Sequence, residues 1–186
     1  MYRDVHHFVT TCESCKMHSR IRHHDEMHST YPPTIHFKLM VDLVTMSIGV
    51  GQMRYLVLAR EDLTNQVEGR ALQNKMTAAV CRFLIEEVVS RYGCMGKIIA
   101  DRGELDAQEA EELFERLGVK LSLTTAYNPE ANGKVERGHG PIVKALVRAC
   151  GGQVGNWPRL LPYALWADRT THSSVTGFMP AELMYG

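Results

Sequence analysis

The chain has 186 residues, 45% of them hydrophobic, with Lys+Arg and Asp+Glu each numbering 21. That length and apolar content suit one ordinary globular domain with a little chain to spare, and a formal charge of zero excludes a global field that would draw the protein to nucleic acid. No apolar run approaches the roughly 18 residues of a membrane span, and the start Met-Tyr-Arg-Asp-Val-His-His lacks a signal-peptide core, so the sequence reads as soluble, not secreted and without a membrane partner.

Residues 1–30 stand apart. Seven of the nine histidines fall before residue 37, Cys12 and Cys15 lie here, and apolar periodicity is poor. This segment reads as the end of a small module and a linker, closed by Tyr31-Pro32-Pro33, where proline stiffens the chain and forbids a helix. Strand-like runs follow over 35–44, 53–59 and 66–72, separated by Gly49-Val50-Gly51-Gln52 and by Glu61-Asp62-Leu63-Thr64-Asn65. Such short polar turns predict an antiparallel meander. A helix over 77–92 carries Val80, Phe83, Leu84, Val88 and Val89 as its stripe and ends at Gly93. A strand over 97–100, an acidic-faced helix over 106–117 and a strand over 119–123 add a parallel crossover. After a loop at 124–131, helices are predicted over 132–149 and 157–169, the second with Pro158 near its first position. The expected product is an α/β protein with a five-stranded mixed sheet, three antiparallel strands extended by two parallel ones, flanked by helices. Of the five cysteines, Cys81, Cys94 and Cys150 are expected as buried or partly buried thiols.

Three acids stand out. Asp42 lies between Val41 and Leu43 in an apolar strand, where a carboxylate is costly unless it is paired, metal-bound or turned to solvent by strand alternation. Asp101 closes an apolar strand, at the end where α/β proteins gather ligands, although Asp-Arg-Gly also suits a cap or turn. Glu136 sits on the first turns of a helix behind a Pro/Gly loop, where pairing with Lys134 or Arg137 would explain it equally well. Singly each has an ordinary reading. Together, two strands and one helix supply the three acids that a pair of divalent cations about 4 Å apart requires.

The segments Ile99-Ala100-Asp101-Arg102-Gly103 and Thr125-Ala126-Tyr127-Asn128-Pro129-Glu130-Ala131-Asn132-Gly133-Lys134-Val135-Glu136-Arg137-Gly138-His139 resemble the catalytic core of gypsy-type LTR-retrotransposon and retroviral integrases. Trp166 to Ser173 and Thr176 to Gly186 look like that core's downstream segment. The resemblance covers nearly the whole chain and implies a ribonuclease-H-like fold, with the family's Asp, Asp, Glu triad on Asp42, Asp101 and Glu136. Residues 102–135 separate the last two acids, one fewer than the usual family spacing, which a deletion in the turn after Asp101 would explain. The implied activity is 3′-end processing of element DNA and strand transfer into target DNA, with two Mg²⁺ or Mn²⁺ ions on the triad. The implied partners are double-stranded DNA and further copies of the chain, with cytoplasmic synthesis and action in the nucleus. Tyr127, Asn132, Lys134, Arg137, His139 and Lys144 are the candidate DNA-contacting residues. Lys144 also suits an ordinary solvated lysine, and His139 a packing or capping role. Asp62 is expected as a turn residue.

The resemblance places residue 1 inside the family's N-terminal zinc-binding domain, with the catalytic core over 31–186. Cys12-Glu13-Ser14-Cys15 has zinc-knuckle spacing but supplies two of four ligands, and the family's histidine pair lies farther upstream, so Zn²⁺ is expected to lack a closed site. Two rival readings share these residues: an inactive or domesticated integrase-derived binding module, and a nuclease of the ribonuclease H class. The nuclease does not account for the Tyr-Asn-Pro-Glu-Ala-Asn-Gly loop.

Overall fold

The computed structural model describes residues 2–12, 32–105, 108–124 and 129–186, with the backbone alone for 9, 10, 102, 104, 124 and 129–138. The chain divides into two units, 1–30 and 31–186. In the first, helix α1 (Tyr2–Thr11) exposes Tyr2, Val5 and Phe8, spaced three apart on one face. Cys12 follows it, half-buried, and Cys15 lies outside the described residues.

The second unit is built on a five-stranded sheet of order β3-β2-β1-β4-β5. Its strands are β1 (Lys38–Gly49), β2 (Met53–Glu61), β3 (Val67–Leu72), β4 (Lys97–Asp101) and β5 (Lys120–Thr124). β1 to β3 pair antiparallel, and β4 and β5 extend the sheet in parallel from β1. This is the mixed sheet that the rhythm of the sequence implies. β1 starts later and runs farther than expected: His36 adopts φ 64, which ends the extended approach, and the β1–β2 ladder continues to Thr45 opposite Tyr55.

Helix α2 runs Thr77–Phe83, widens into a π-helical stretch at Leu84–Val89 and closes with Ser90–Tyr92. A short turn of helix, α3 (Arg102–Leu105), follows β4 directly, and α4 is Gln108–Arg116. Helix α5 (Pro129–Ala149) begins at its proline, three residues before the expected start, because proline at a first helical position sacrifices no hydrogen bond. α6 (Trp157–Thr170) and α7 (Pro180–Tyr185) complete the unit. α7 is too short to show a period in sequence. Its start is held by Met179 N–H donating to Glu182 Oε2 at 2.8 Å.

Strand alternation sorts the core into two clusters. Leu39, Val41, Val57, Ala59, Ile98 and Ala100 face Val80, Phe83, Leu84 and Val88 of α2 and Phe114 of α4. On the other face Leu56, Leu58 and Val67 cluster with Ile142 and Leu146 of α5 and Trp157, Leu161 and Leu165 of α6. Burying both faces of the sheet between helices supplies the hydrophobic stabilisation of the unit. Cys81 and Cys150 are buried in these clusters, and burial pushes the Cys81 thiol above its usual pKa. Cys94 departs from expectation: it is exposed, in the loop between α2 and β4.

The turn after β2 is organised by Glu61 rather than by Asp62. Glu61 Oε2 accepts from Leu63 N (2.9 Å), Thr64 N (2.6 Å) and Thr64 Oγ1 (2.8 Å), while Asn65 takes φ 62. Asp62 is buried and pairs with Lys38 Nζ at 3.1 Å.

Glycine matters most at Gly49, where the tip of β1 meets the start of α6. A Cβ there would lie 2.5 Å from Pro158 Cγ and 2.7 Å from Trp157 Nε1, the indole nitrogen that donates to Ser47 O at 2.8 Å. Gly49→Ala is therefore expected to destabilise by about 1–3 kcal/mol through overpacking. Urea unfolding checks this as a lower midpoint at unchanged slope.

Candidate active site

The parallel register brings two of the candidate acids together. Lys38, Leu39 and Met40 of β1 pair with Lys97, Ile98 and Ile99 of β4. Two residues farther along the same offset, Asp42 comes level with Asp101, and residues level on adjacent parallel strands face the same side of the sheet. Asp101 is the last residue of β4 and pairs with Thr124, the last of β5. The site thus lies at the carboxyl ends of the parallel strands, next to the antiparallel β1–β2 pair. In open α/β sheets such a change of direction is where ligand crevices form.

The third element arrives from α5. His139, 3% exposed, places Nδ1 2.7 Å from Asp42 Oδ2, joining residues 97 apart in sequence. The contact requires a proton on Nδ1, which donates to the carboxylate. His139 Nε2 is buried with no hydrogen-bond partner among the described residues. Glu136 precedes His139 by three residues on the same helix, the spacing that puts two positions on one helical face. At position 136 the description is of backbone only.

Of the two roles expected of His139, DNA contact or packing, the geometry fits packing. As a DNA-contacting residue it would need an open ring; instead its imidazole is enclosed and spent on orienting Asp42. Lys144 is exposed on α5 with no partner among the described residues. Asn132, Lys134 and Arg137 fall within α5, where only the backbone is described, and Tyr127 lies outside the described residues.

The donor set suits a hard divalent cation. Asp42 retains 26% side-chain exposure and Asp101 is exposed, so both carboxylates reach solvent at one edge of the sheet. Asp42 engages His139 through Oδ2 alone among the described residues. Oxygen donors of this kind match Mg²⁺ or Mn²⁺. Among the described residues no group of three or more His, Cys, Asp or Glu side chains converges, so the pair needs a further donor such as Glu136 to complete a cation site.

The chain matches no family model. Its sequence is 27% identical over 199 residues to the Gag-Pol polyprotein of avian reticuloendotheliosis virus, covering 100% of this chain and 16% of the polyprotein. It is 30% identical over 150 residues to the Gag-Pol polyprotein of koala retrovirus, covering 78% of this chain and 9% of that protein. The chain thus spans a sixth or less of these relatives. Among solved structures, the simian T-cell lymphotropic virus intasome in complex with PP2A regulatory subunit B56 gamma is similar at TM-score 0.79 and 15% identity, over 100% of this chain and 67% of that one. The catalytic core domain of BIV integrase is similar at TM-score 0.63 and 21% identity, over 78% and 91%. The HTLV-2 integrase catalytic core in complex with magnesium, in its trimeric form, gives TM-score 0.67 at 15% identity, over 82% and 98%. The chain therefore has the ribonuclease-H-like fold of retroviral integrase catalytic cores and is similar in sequence to a part of retroviral Gag-Pol polyproteins.

Proposed function

We propose that the chain is the catalytic core of an LTR-retrotransposon integrase, which trims the 3′ ends of element DNA and joins them to target DNA. The observation that carries this reading is the pair Asp42 and Asp101, level on adjacent strands, with His139 of α5, three residues after position 136, joined to Asp42. On the same reading residues 1–30 carry Cys12 and Cys15, the cysteine half of a zinc-binding domain, and residues 31–186 form the core. The protein acts in the nucleus as an oligomer on double-stranded DNA. The similar HTLV-2 core in complex with magnesium and the similar intasome support divalent-metal use and assembly.

Asp42, Asp101 and Glu136 are the residues that would hold the cations. When bound, two such ions supply charge stabilisation to both the attacking and the leaving oxygen of an in-line displacement at phosphorus. The protein's part is to hold the acids ready. β1 and β4 fix Asp42 and Asp101 on rigid strands, and His139 N–H holds one oxygen of Asp42 so that the carboxylate does not rotate. No side chain has to become covalently attached to DNA. The nucleophile is water in the first step and the element's 3′ hydroxyl in the second.

The test offers labelled target duplex with Mg²⁺ or Mn²⁺, with and without donor DNA bearing a recessed 3′ hydroxyl. Donor-dependent joined products are expected. Cleavage of target that ignores the donor would replace this reading with a hydrolytic nuclease, and inertness in both arms would leave the chain as a non-catalytic relative.

A further inference from the structure

A second feature lies on the face of the sheet that carries the acids. Lys38 pairs with Lys97, and Lys97 with Lys120, so three lysines stand in one row across β1, β4 and β5. They precede Asp42 and Asp101 by four residues, an even number, and strand alternation therefore puts the row on the same face. At about 3.3 Å per residue the row sits roughly 13 Å from the acids along the strands. Between them Met40, Ile99 and Ser122 form an uncharged row.

The three lysines are not equivalent. Asp62 neutralises Lys38 at 3.1 Å. Lys97, partly buried, and Lys120, exposed, have no ion pair among the described residues. Like charges directly opposite on neighbouring strands are destabilising. The arrangement is therefore kept at a cost within a chain whose formal charge is zero. Among the described residues, the cluster formed with α5 and α6 draws its strand residues from β1, β2 and β3, and none from β4 or β5.

We propose that Lys97 and Lys120, side by side on β4 and β5, bind the phosphodiester backbone of DNA and guide it to Asp42 and Asp101. This rests on the function proposed above and adds a binding surface to it. Charge complementarity selects the occupant: two unneutralised ammonium groups side by side match consecutive phosphates. At 3.4 Å of rise per nucleotide, the row's distance from the acids corresponds to about four nucleotides. Ser122, half-buried between the rows, offers a hydroxyl to the same backbone.

The experiment is binding of the full chain to a duplex of arbitrary sequence, by fluorescence anisotropy without divalent metal, between about 50 and 200 mM salt. The Lys97→Ala/Lys120→Ala variant is expected to lower the slope of log K against log salt by about 1.8, close to two phosphate contacts. The Lys97→Arg/Lys120→Arg variant keeps the slope. A control, Lys75→Ala/Arg82→Ala, removes one exposed cation just before α2 and one within it, and leaves the slope unchanged. Urea unfolding confirms that the alanine variant remains folded. Wild-type binding with an unaltered slope in the alanine variant, or an equal loss in the control, would overturn the proposal while leaving the integrase reading intact. No binding by the wild-type chain at low salt would overturn both.

Discussion

Asp101→Asn is expected to abolish metal-dependent DNA nicking and strand transfer while leaving the chain folded and able to bind DNA. The amide keeps the shape of the side chain at the exposed end of β4 but removes its charge and one of its two acceptor oxygens. Level with it, Asp42 then faces a cation almost alone, with Oδ2 already accepting from His139. A hard divalent ion bound through fewer anionic oxygens is held weakly and in the wrong place. A loss of at least about 10³-fold in rate, equivalent to about 4 kcal/mol of transition-state stabilisation, is the expected scale. Stability should change little, since an exposed strand-end substitution seldom moves unfolding by more than about 0.5 kcal/mol. A thermal-shift titration with Mn²⁺ gives an independent readout: the wild-type melting temperature rises with metal and that of the variant rises less. Nicking at the wild-type rate in Asp101→Asn would remove Asp101 from the chemistry and with it the active site proposed here.

The placement of Asp101 was legible because its signal is local: an apolar strand, a terminal acid and a glycine in the turn. The same holds for β1 to β3, whose alternation and polar turns specify an antiparallel meander, and for α2, whose stripe of Val80, Phe83, Leu84 and Val88 is buried in the core. Less legible was anything that depends on how elements meet. That His139 would orient Asp42 depends on the angle at which α5 crosses the sheet, and no local pattern encodes that angle. The π-helical stretch in α2 was hidden for a similar reason. It occurs where Arg70 of β3 reaches Glu86 at 2.6 Å and Glu87 at 2.5 Å, and the hydrogen bond from Arg70 holds the Glu87 carboxyl below its usual pKa. The role of Glu61 was obscured by Asp62 beside it: two acids in one turn look alike in sequence, but one caps the turn and the other pairs with a strand lysine. Even the row formed by Lys97 and Lys120 needed the strand register, since the two residues lie on either side of α4 in sequence.

The downstream segment Trp-Ala-Asp-Arg, recognised by resemblance alone, acquires a physical reason from the structure, and the second large effect is expected there. Asp168 near the end of α6 grips Arg60 at the end of β2 with both oxygens, at 3.1 Å and 3.3 Å, and Arg60 also donates to Asn65 O at 2.7 Å. The two side chains are 7% and 15% exposed. Next to it Arg169 donates to Val67 O at 2.8 Å and to Glu68 Oε2 at 2.6 Å, so the end of α6 is tied to both β2 and β3. Glu68 also accepts from Tyr92 at 2.6 Å; burial and that bond push the Tyr92 phenol well above its usual pKa. Asp168→Ala leaves the Arg60 guanidinium buried without its carboxylate. Removing one partner of a buried pair costs about 3 kcal/mol at the lower end of the usual range, the appropriate end because the Asn65 carbonyl remains. For a chain of this size that lowers the melting temperature by about 6–12 °C. The double variant Arg60→Met/Asp168→Leu separates the two components of that loss. Once both charges are gone no ion is left unpaired in the interior, so the double variant should be more stable than Asp168→Leu alone even though it carries one more substitution. An Asp168→Ala loss under about 1 kcal/mol would class the pair with ordinary surface ion pairs and leave the apolar cluster of Leu161 and Leu165 as what holds α6 to the sheet. The expected loss instead makes the pair the anchor of α6, and through the packing of α6 on α5 a support for the helix that seats His139 against Asp42.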